Sequence, residues 1–266
     1  MLYRILYYLI SLLLCLFFLS CRTSVDTKDS SIKIIKNERI DIVKEVIEKD
    51  TRGIKTREEA IQFYIDKGVS LYFDNSMNLT SFDCSRPGGL TDDDMKYIVF
   101  FPEAGAVHLS DKTITDEVFY YFQDLNMITV LSLYNTGVSG DGFRYLLEKR
   151  KLIIFDFGGS PITDVGLNYL SRINFENKVI ILNLKGSKIT DEGMKYIQKI
   201  RFGKGRVNLR HTSVTDAGIR HLSGFKELVE VDLIYTGVTD RGGEWLKKQI
   251  PGANITWGVL SPAESQ

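Results

Sequence analysis

Apolar residues recur along this chain in two alternating patterns that repeat about every 24 residues. The first pattern is a pair of apolar residues separated by one other residue, which predicts a short strand with one buried face. These pairs are Val107/Leu109, Leu131/Leu133, Phe155/Phe157, Leu182/Leu184, Val207/Leu209 and Val231/Leu233. The second pattern is a pair of apolar residues three apart, which predicts one face of a helix. These pairs are Met95/Ile98, Phe119/Phe122, Phe143/Leu146, Leu167/Leu170, Met194/Ile197 and Ile219/Leu222.

Between each predicted strand and helix lies a turn, and the distance from one turn to the next recurs along the chain. We take as its anchor the apolar residue before the Thr-Asp pair seen in "LNLKGSKITDEGMKYI", which begins at Leu182. The spacings between successive anchors are 24, 24, 24, 27, 25 and 24 residues, for Leu90, Ile114, Val138, Ile162, Ile189, Val214 and Val238. A strand-turn-helix unit of this size cannot bury both of its apolar faces alone, so the units must stack into a solenoid.

The residues around the anchor predict the chemistry of the turn. A Thr hydroxyl after the anchor can accept from free N–H groups of the next helix, and Asp191 and Glu192 suit the positive end of the helix dipole. Two residues before the anchor, a hydroxyl such as that of Ser187 can bind the backbone of the turn. A Gly four after the anchor predicts a close backbone approach. A Thr-Asp pair present in almost every unit indicates architecture, since catalysis needs such a pair once.

From about Leu79 to Gly258 the chain resembles the leucine-rich repeats, in the bacterial subclass LxLxxTxVTDxGLxxLxxL that is related to the cysteine-containing repeats of F-box proteins. The resemblance implies an α/β solenoid of about seven repeats plus caps. It would form a right-handed, curved parallel sheet on the concave side with helices on the convex side. Val118 stands in place of the Gly in one repeat, and Gly140 stands in place of the Asp in another. A last strand is predicted at "NITW", because Ile255 lies 24 residues beyond Val231.

The N-terminal sequence predicts that the protein is exported. Residues 1–20 combine one positive charge with an apolar run that is short for a membrane span, as in a secretory signal peptide. Cys21 follows "FLS" and resembles the lipobox cysteine of bacterial lipoproteins, which implies lipidation of Cys21 and a membrane-anchored protein of the cell envelope. We expect the outer membrane or cell surface in preference to the inner membrane. An ordinary cleaved signal with secretion, and an uncleaved anchor, stay open.

The remaining chain divides into four further segments. Residues 21–31 carry the lipidated Cys and a polar, flexible tether, and residues 259–266 form a C-terminal tail. We interpret residues 32–78 as an N-terminal capping region, in which Thr56 and Glu59 predict a capping box and Gly68 predicts a helix stop. Residues 79–258 form the repeat domain. Removal of the signal and lipidation of Cys21 would leave Cys84 as the only thiol, without an internal disulfide.

The outward strand positions supply the candidate sites. His108, Ser132 and Asp156 share one column, but a catalytic base must stand between nucleophile and carboxylate, and here Ser132 is in the middle. Oxygens of Asp156, Asn183, Asn208 and Asp232 could bind a hard cation, although neighbouring strands hold ligands in a line rather than a cage. We therefore predict no catalytic residue, no metal and no cofactor.

Charge points instead to a binding surface. The whole chain is balanced, with 34 basic and 34 acidic residues, but residues 178–220 contain ten Lys or Arg and three Asp or Glu. The candidate partner-binding residues are Lys185, Arg206, Arg210, His211, Tyr134 and Tyr235. An exported protein rarely meets nucleic acid, and no aromatic stacking platform accompanies this cluster, so we expect no nucleic-acid partner. Ordinary solvated charge is the alternative.

A second unusual column lies on the helices, seven residues after each anchor: Tyr97, Tyr121, Tyr145, Tyr169, Tyr196, His221 and Trp245. It predicts either rings packed between neighbouring helices or an aromatic binding stripe. Taken together, the sequence predicts a non-enzymatic, lipid-anchored binding protein. Its concave face would recognise a protein or a polysaccharide, possibly an acidic one. An envelope enzyme with a concave polar site and a purely structural envelope lipoprotein are the alternatives.

Overall fold

The computed structural model describes residues 52–85 and 89–258. The predicted signal peptide of residues 1–20, the predicted lipidation of Cys21 and the predicted tether of residues 21–31 lie outside the described residues. So do residues 32–51 of the predicted capping region and the tail of residues 259–266.

The described strands form one open sheet whose spatial order is the order of the chain. The strands are β1 Ser70–Phe73, β2 Leu79–Cys84, β3 Ala106–Leu109, β4 Val130–Leu133, β5 Ile154–Asp156, β6 Val179–Asn183, β7 Phe202–Asn208, β8 Glu230–Ile234 and β9 Asn254–Gly258. Strands β2 to β9 are parallel, whereas β1 pairs antiparallel with β2 and closes the N-terminal edge. The α/β solenoid is thus confirmed, including the last strand, where Val231 pairs with Ile255.

The helical side differs in part from the prediction of one helix per unit. Its α-helices are α1 Arg57–Asp66, α2 Val118–Tyr121, α3 Asp164–Leu170, α4 Asp191–Ile197 and α5 Asp240–Gln249. Its 3₁₀ segments are Asp93–Phe100, Phe122–Asp124, Asp141–Leu146 and Gly218–Leu222. Helices α3, α4 and α5 each begin after a Thr whose side chain accepts a backbone N–H, as predicted. The 3₁₀ segments have no side-chain cap hydrogen bond.

The apolar columns read from the sequence form the core. The residues of the strand pairs and of the helix pairs given above are each no more than 2% exposed. Burying one such side chain contributes about 1.5–3 kcal/mol, so the stacked columns supply most of the driving force for folding. Of the hydroxyl column, Thr136, Ser160, Ser187 and Thr212 are buried and Thr236 is partly buried. Thr212 donates to the Leu209 carbonyl oxygen at 2.7 Å, within the turn that follows β7, as predicted. The prediction is wrong for Ser187, whose hydroxyl has no hydrogen-bond partner within the described chain.

The Asp of the Thr-Asp pair has a role that the sequence did not predict. The carboxylate of Asp191 accepts from both the backbone N–H (2.8 Å) and the hydroxyl (2.6 Å) of Thr215 in the next repeat. Asp216 makes the same two contacts with Thr239, at 2.8 and 2.6 Å. The Asp therefore joins one repeat to the next, in addition to its place near a helix N-terminus.

This Asp also explains the recurring Gly. A Cβ placed on Gly218 would lie 2.3 Å from the Asp191 Oδ1 atom, and one on Gly242 would lie 1.9 Å from the Asp216 Oδ1 atom. The predicted close approach is confirmed, and what approaches is a side-chain carboxylate from the preceding repeat. Where Gly140 replaces the Asp, Gly166 of the next repeat instead lies against the Gly140 Cα atom.

The N-terminal segment rests on the first repeat. The capping box of Thr56 and Glu59 is confirmed, and α1 ends just before Gly68, which has a φ of +78°. Arg57 donates to Glu103 at 2.5 Å, and Tyr64, fully buried, donates to the Asp94 carbonyl oxygen at 3.1 Å. These contacts hold α1 against the first repeat.

Two further properties of the described chain concern its helices and its cysteine. Within residues 52–85 and 89–258, no helix has the length and apolar character needed to cross a membrane. The thiol of Cys84 is buried, and burial raises its pKa to about 11.

Candidate functional site

The concave face is the side of the sheet opposite the helices, and it is divided into two chemically different halves. Strands β3 to β5 carry an apolar cluster of Ala106, Val130, Ile153 and Ile154, against which Ile180 and Ile181 pack. Strands β6 to β8 carry the charged and aromatic candidates.

Two of the outward residues are not open to solvent. His108 and Ser132 are in register on neighbouring strands, as predicted, but they are only 4% and 7% exposed. Burial also lowers the pKa of His108, opposed by the charge of Asp83. Ser132 lies between His108 and Asp156 in register, an order that does not suit a hydrolytic triad.

The Asp and Asn column has a structural role at the strand ends. Each side-chain oxygen accepts the backbone N–H two residues later: Asp156 from Gly158 (3.2 Å), Asn183 from Lys185 (3.1 Å), Asn208 from Arg210 (3.0 Å) and Asp232 from Ile234 (3.0 Å). Such contacts stabilise the turn that leaves the strand. Asn183 also donates to Asp156 at 2.7 Å, while burial raises the pKa of Asp156. Among the described residues there is no group of three or more His, Cys, Asp or Glu placed to hold a metal.

Five of the six predicted partner-binding residues lie together. Lys185, Arg206, Arg210, His211 and Tyr235 occupy β7 and the turns that follow β6, β7 and β8. The Gly186 N–H donates to the Arg210 carbonyl oxygen at 2.8 Å, which fixes the turns carrying Lys185 and Arg210 side by side.

The sixth candidate stands apart. Tyr134 follows β4, and a Cβ on Gly158 would lie 3.0 Å from its ring, so Tyr134 lies over the turn that follows β5. Strands β5 and β6 separate it from Arg210, a distance of about three strand spacings, or roughly 14 Å. Tyr134 therefore lies on the same face as the other five but not within their cluster.

The cations of this cluster differ in whether they form an ion pair. Arg206 forms an ion pair with Glu230 on β8 at 3.3 Å, so part of its charge is compensated. Neither Lys185 nor Arg210 forms an ion pair with any residue of the described chain. The Arg210 Nε atom is buried and has no hydrogen-bond acceptor there. Two uncompensated cations thus remain on the concave face.

The two aromatic side chains of the cluster form a stack. The rings of His211 and Tyr235 lie parallel, with centroids 4.6 Å apart and 11° between their planes. The guanidinium carbon of Arg210 lies 5.2 Å from the centroid of the Tyr235 ring, within the range of a cation–π contact. We call Arg210, His211 and Tyr235 the stacked ledge.

The aromatic column on the helices has the packing role. Tyr121, Tyr145, Tyr169, Tyr196 and Trp245 are partly buried against the core, and Tyr97 is fully buried. Cations lie over several rings, for example Lys199 at 5.6 Å from the Tyr196 centroid and Arg220 at 5.0 Å from the Trp245 centroid. Contact with the core and with the chain's own cations accounts for these rings as packing groups.

One repeat is also recognised by a family model. Residues 177–197, which contain β6, its turn and α4, match the family described as "Leucine Rich repeat". One unit of the α/β repeat solenoid is thus similar to a leucine-rich repeat. No curated protein matches the chain.

Several solved structures resemble the chain at low identity. A plant ice-binding protein is 15% identical, with a TM-score of 0.44, and the match covers 72% of this chain and 69% of the ice-binding protein. An internalin from Listeria monocytogenes is 14% identical, with a TM-score of 0.35, and the match covers 63% of this chain and 37% of the internalin. A TDR receptor is 12% identical, with a TM-score of 0.40, and the match covers 68% of this chain and 34% of the receptor. The matched region thus spans about a third of the internalin and of the receptor.

Proposed function

We propose that this protein is a non-enzymatic binding protein that recognises another protein through the second half of its concave face. The observation that carries the proposal is the pair of uncompensated cations, Lys185 and Arg210, beside the stacked ledge.

The size and rigidity of the face fit a macromolecular partner. Nine strands at spacings of about 4.8 Å give a surface roughly 38 Å across. Its backbone is fixed by the sheet and by the Asp–Thr contacts between repeats, so little ordering entropy is lost on binding. A protein is our first candidate and a polysaccharide the second, since a stacked ring pair can also lie against a sugar.

We further propose that the protein is anchored in a bacterial cell envelope through a lipid on Cys21, at the outer membrane or the cell surface. The support is the apolar run of residues 1–20 directly before "FLS" and Cys21, followed by a polar tether. Secretion after ordinary signal cleavage is the alternative. An anchored position would present the concave face to partners at the membrane.

A photo-crosslinking experiment tests the binding surface. A benzophenone amino acid replaces Lys185 on the concave side or, as a matched control, Lys195 on α4, and the full chain is expressed in the cells that make it. We expect a discrete crosslinked product from position 185 and none from position 195. Protease sensitivity of the added mass would identify the partner as a protein, whereas resistance to protease with sensitivity to glycosidases would make it a polysaccharide.

Charge reversal gives the quantitative test of the same proposal. Lys185→Glu combined with Arg210→Glu should weaken binding of the crosslinked partner at least tenfold, mainly through the association rate and less so at high salt. Lys195→Glu combined with Lys199→Glu changes the net charge by the same amount on the helical side, and should have much less effect. If the helical-side variant is the damaging one, the working surface is the convex flank.

A further inference from the structure

The turns that leave the strands share an uncommon backbone conformation. Three residues before each anchor, in the turns that follow strands β4 to β8, the residue has a positive φ, as does the last residue of β9. These residues are Asn135, Gly159, Gly186, His211, Tyr235 and Gly258, with φ between 55° and 88°. This conformation favours Gly and is also adopted by Asn and His, whereas the bulky ring of Tyr is strained there. Tyr235 is thus the most strained member of the column, and His211 also stands where Gly is favoured.

The fold explains the conformation but not the choice of residue. At each of these turns the backbone N–H donates to a carbonyl of the next strand or turn, as in Gly186 to Arg210 (2.8 Å), His211 to Ile234 (3.1 Å) and Tyr235 to Gly258 (2.9 Å). The same contact is made whether the residue is Gly, His or Tyr. A Gly would relieve the strain without losing the hydrogen bond, so the two ring side chains must serve another purpose.

What the rings do is hold a guanidinium group. Tyr235 stacks on His211 on the one hand and carries the Arg210 guanidinium over its ring on the other. The aromatic contact fixes the planar group without using any of its N–H donors, and Arg210 forms no ion pair with a described residue. Arg206, on the same strand, is by contrast already bound to Glu230. The Arg210 guanidinium is therefore oriented by the Tyr235 ring, and no acidic residue of the described chain pairs with it.

We propose that the stacked ledge binds a carboxylate of the protein partner, with Arg210 as the forked donor and Lys185 as a second cation. This inference rests on the proposed function and names the chemistry of its central contact. The guanidinium fork matches a carboxylate in a two-point hydrogen bond, and orienting it in advance lowers the entropy lost on binding. His211 and Tyr235 are positioning residues, kept in a strained conformation for that purpose.

The surrounding charges favour an isolated carboxylate over a long polyanion. Glu230 and Asp232 lie on the neighbouring strand β8, and Asp156 lies on β5. A sulfated polysaccharide would bring several negative charges toward these carboxylates, whereas one acidic side chain or a chain terminus would meet only the two cations. The acidic partner expected from the sequence is accordingly narrowed to a protein segment with a localised negative charge.

Nuclear magnetic resonance of the full chain tests the inference with benzoate as the probe. The Nε–H resonance of Arg210, identified by its absence in Arg210→Lys, should shift on titration with benzoate and not with benzamide, its neutral analogue. Arg220→Lys is the matched control, because Arg220 lies over the Trp245 ring on the helical side, and it should leave the benzoate affinity unchanged. Equal shifts with benzoate and benzamide, or loss of affinity in Arg220→Lys, would overturn the assignment.

The strain supplies a second readout that a structural role would not produce. His211→Gly and Tyr235→Asn should each lower the benzoate affinity at least threefold, while the melting temperature of His211→Gly stays unchanged or rises. Should His211→Gly melt lower and bind benzoate as the parent does, the rings serve stability and the inference fails. Displacement of benzoate by dextran sulfate at lower concentration than by an acidic peptide of equal charge would also overturn it.

The two proposals can fail separately. Crosslinking from position 185 together with an Arg210 resonance that does not respond to benzoate would support the concave binding surface and refute recognition of a carboxylate. A benzoate site without any concave crosslink would remove the proposed protein-binding function and leave a small-anion site.

Discussion

Asp164 of one repeat accepts two hydrogen bonds from Thr190 of the next, from its backbone N–H at 2.9 Å and from its hydroxyl at 2.6 Å. The same Thr190 accepts the N–H of Glu192 and so begins helix α4. One residue pair thus joins two repeats and starts a helix. Because the pair recurs along the solenoid, the stacking of the repeats rests on polar contacts at the turn as well as on the apolar columns.

Removing this carboxylate should destabilise the stack. We expect Asp164→Ala to lower the free energy of unfolding by about 1–3 kcal/mol, because it removes two hydrogen bonds to a charged acceptor and leaves the Thr190 donors unpaired. Asp141→Ala is the matched control, since Asp141 is exposed at the start of a 3₁₀ segment in the repeat without this contact. Urea denaturation of both variants measures the difference, and equal losses would contradict the assigned role of Asp164.

The Gly of the motif should be coupled energetically to that carboxylate. A Cβ on Gly193 would lie 2.2 Å from the Asp164 Oδ1 atom, so Gly193→Ala should destabilise by about 1–3 kcal/mol through overpacking. In an Asp164→Ala background the same change should cost much less, and the double-mutant cycle isolates this coupling. Gly224→Ala, with no atom within 4 Å of its Cβ, should be close to neutral. Additive effects of the first two changes would refute the coupling.

The strand register makes a further prediction about neighbouring residues. Leu184 is fully buried in the core, so Leu184→Ala should destabilise by roughly 2–5 kcal/mol, and Leu184→Asp should unfold the central repeats. Asn183 points to the concave side, where it binds Asp156 and the Lys185 N–H, so Asn183→Ala should cost only about 1–2 kcal/mol. Denaturant melts that rank these two positions in the opposite order would show the register to be wrong.

Lys149 should give the protein a pH dependence in the alkaline range. Its ammonium group is buried and donates to the Gln123 carbonyl oxygen and to Asn126. Burial lowers its pKa from 10.5 to about 8, opposed by the charges of Asp124 and Glu148. Between pH 8 and 10.5 the unfolded chain therefore holds a proton here that the folded chain has lost. The free energy of unfolding should accordingly rise with pH in this window, by up to about 3 kcal/mol.

A variant isolates this contribution from the other groups that titrate at alkaline pH. Urea unfolding of the parent and of Lys149→Met at pH 7, 8, 9 and 10 gives the difference that belongs to Lys149. That difference should change steadily above pH 8 and stay constant below it. Lys188→Met, at an exposed position, is the control and should follow the parent at all four values. A parent and a Lys149→Met variant with parallel pH profiles would contradict the prediction.

The anchor can be tested independently of the fold. Because Cys21 follows an apolar run and "FLS", Cys21→Ser should abolish partitioning into the detergent phase of a cloud-point extraction. The repeats lie far along the chain from residue 21, so the melting temperature should not change. Cys84→Ser is the matched control and should partition as the parent does. Equal partitioning of Cys21→Ser and the parent would remove the lipid anchor from the proposal.

The repeat pattern alone was sufficient to determine the period, the parallel strands and the buried columns. Apolar residues such as Leu184 and Ile197 recur at strand and helix spacing, and a unit that cannot bury them alone has to stack on its neighbours. The Thr caps and the capping box at Thr56 were also predictable, because they depend on residues within one turn of helix.

What only the tertiary structure decided are the contacts between repeats. The partner of Asp164 lies 26 residues away, and the burial of His108 and Ser132 is not encoded in the alternation of their own strands. The same holds for Arg206, whose charge is compensated by Glu230, and for Arg210, which keeps its charge free beside Tyr235. Local propensity encodes which face a residue occupies, but the charge and access of that residue depend on what stacking brings beside it.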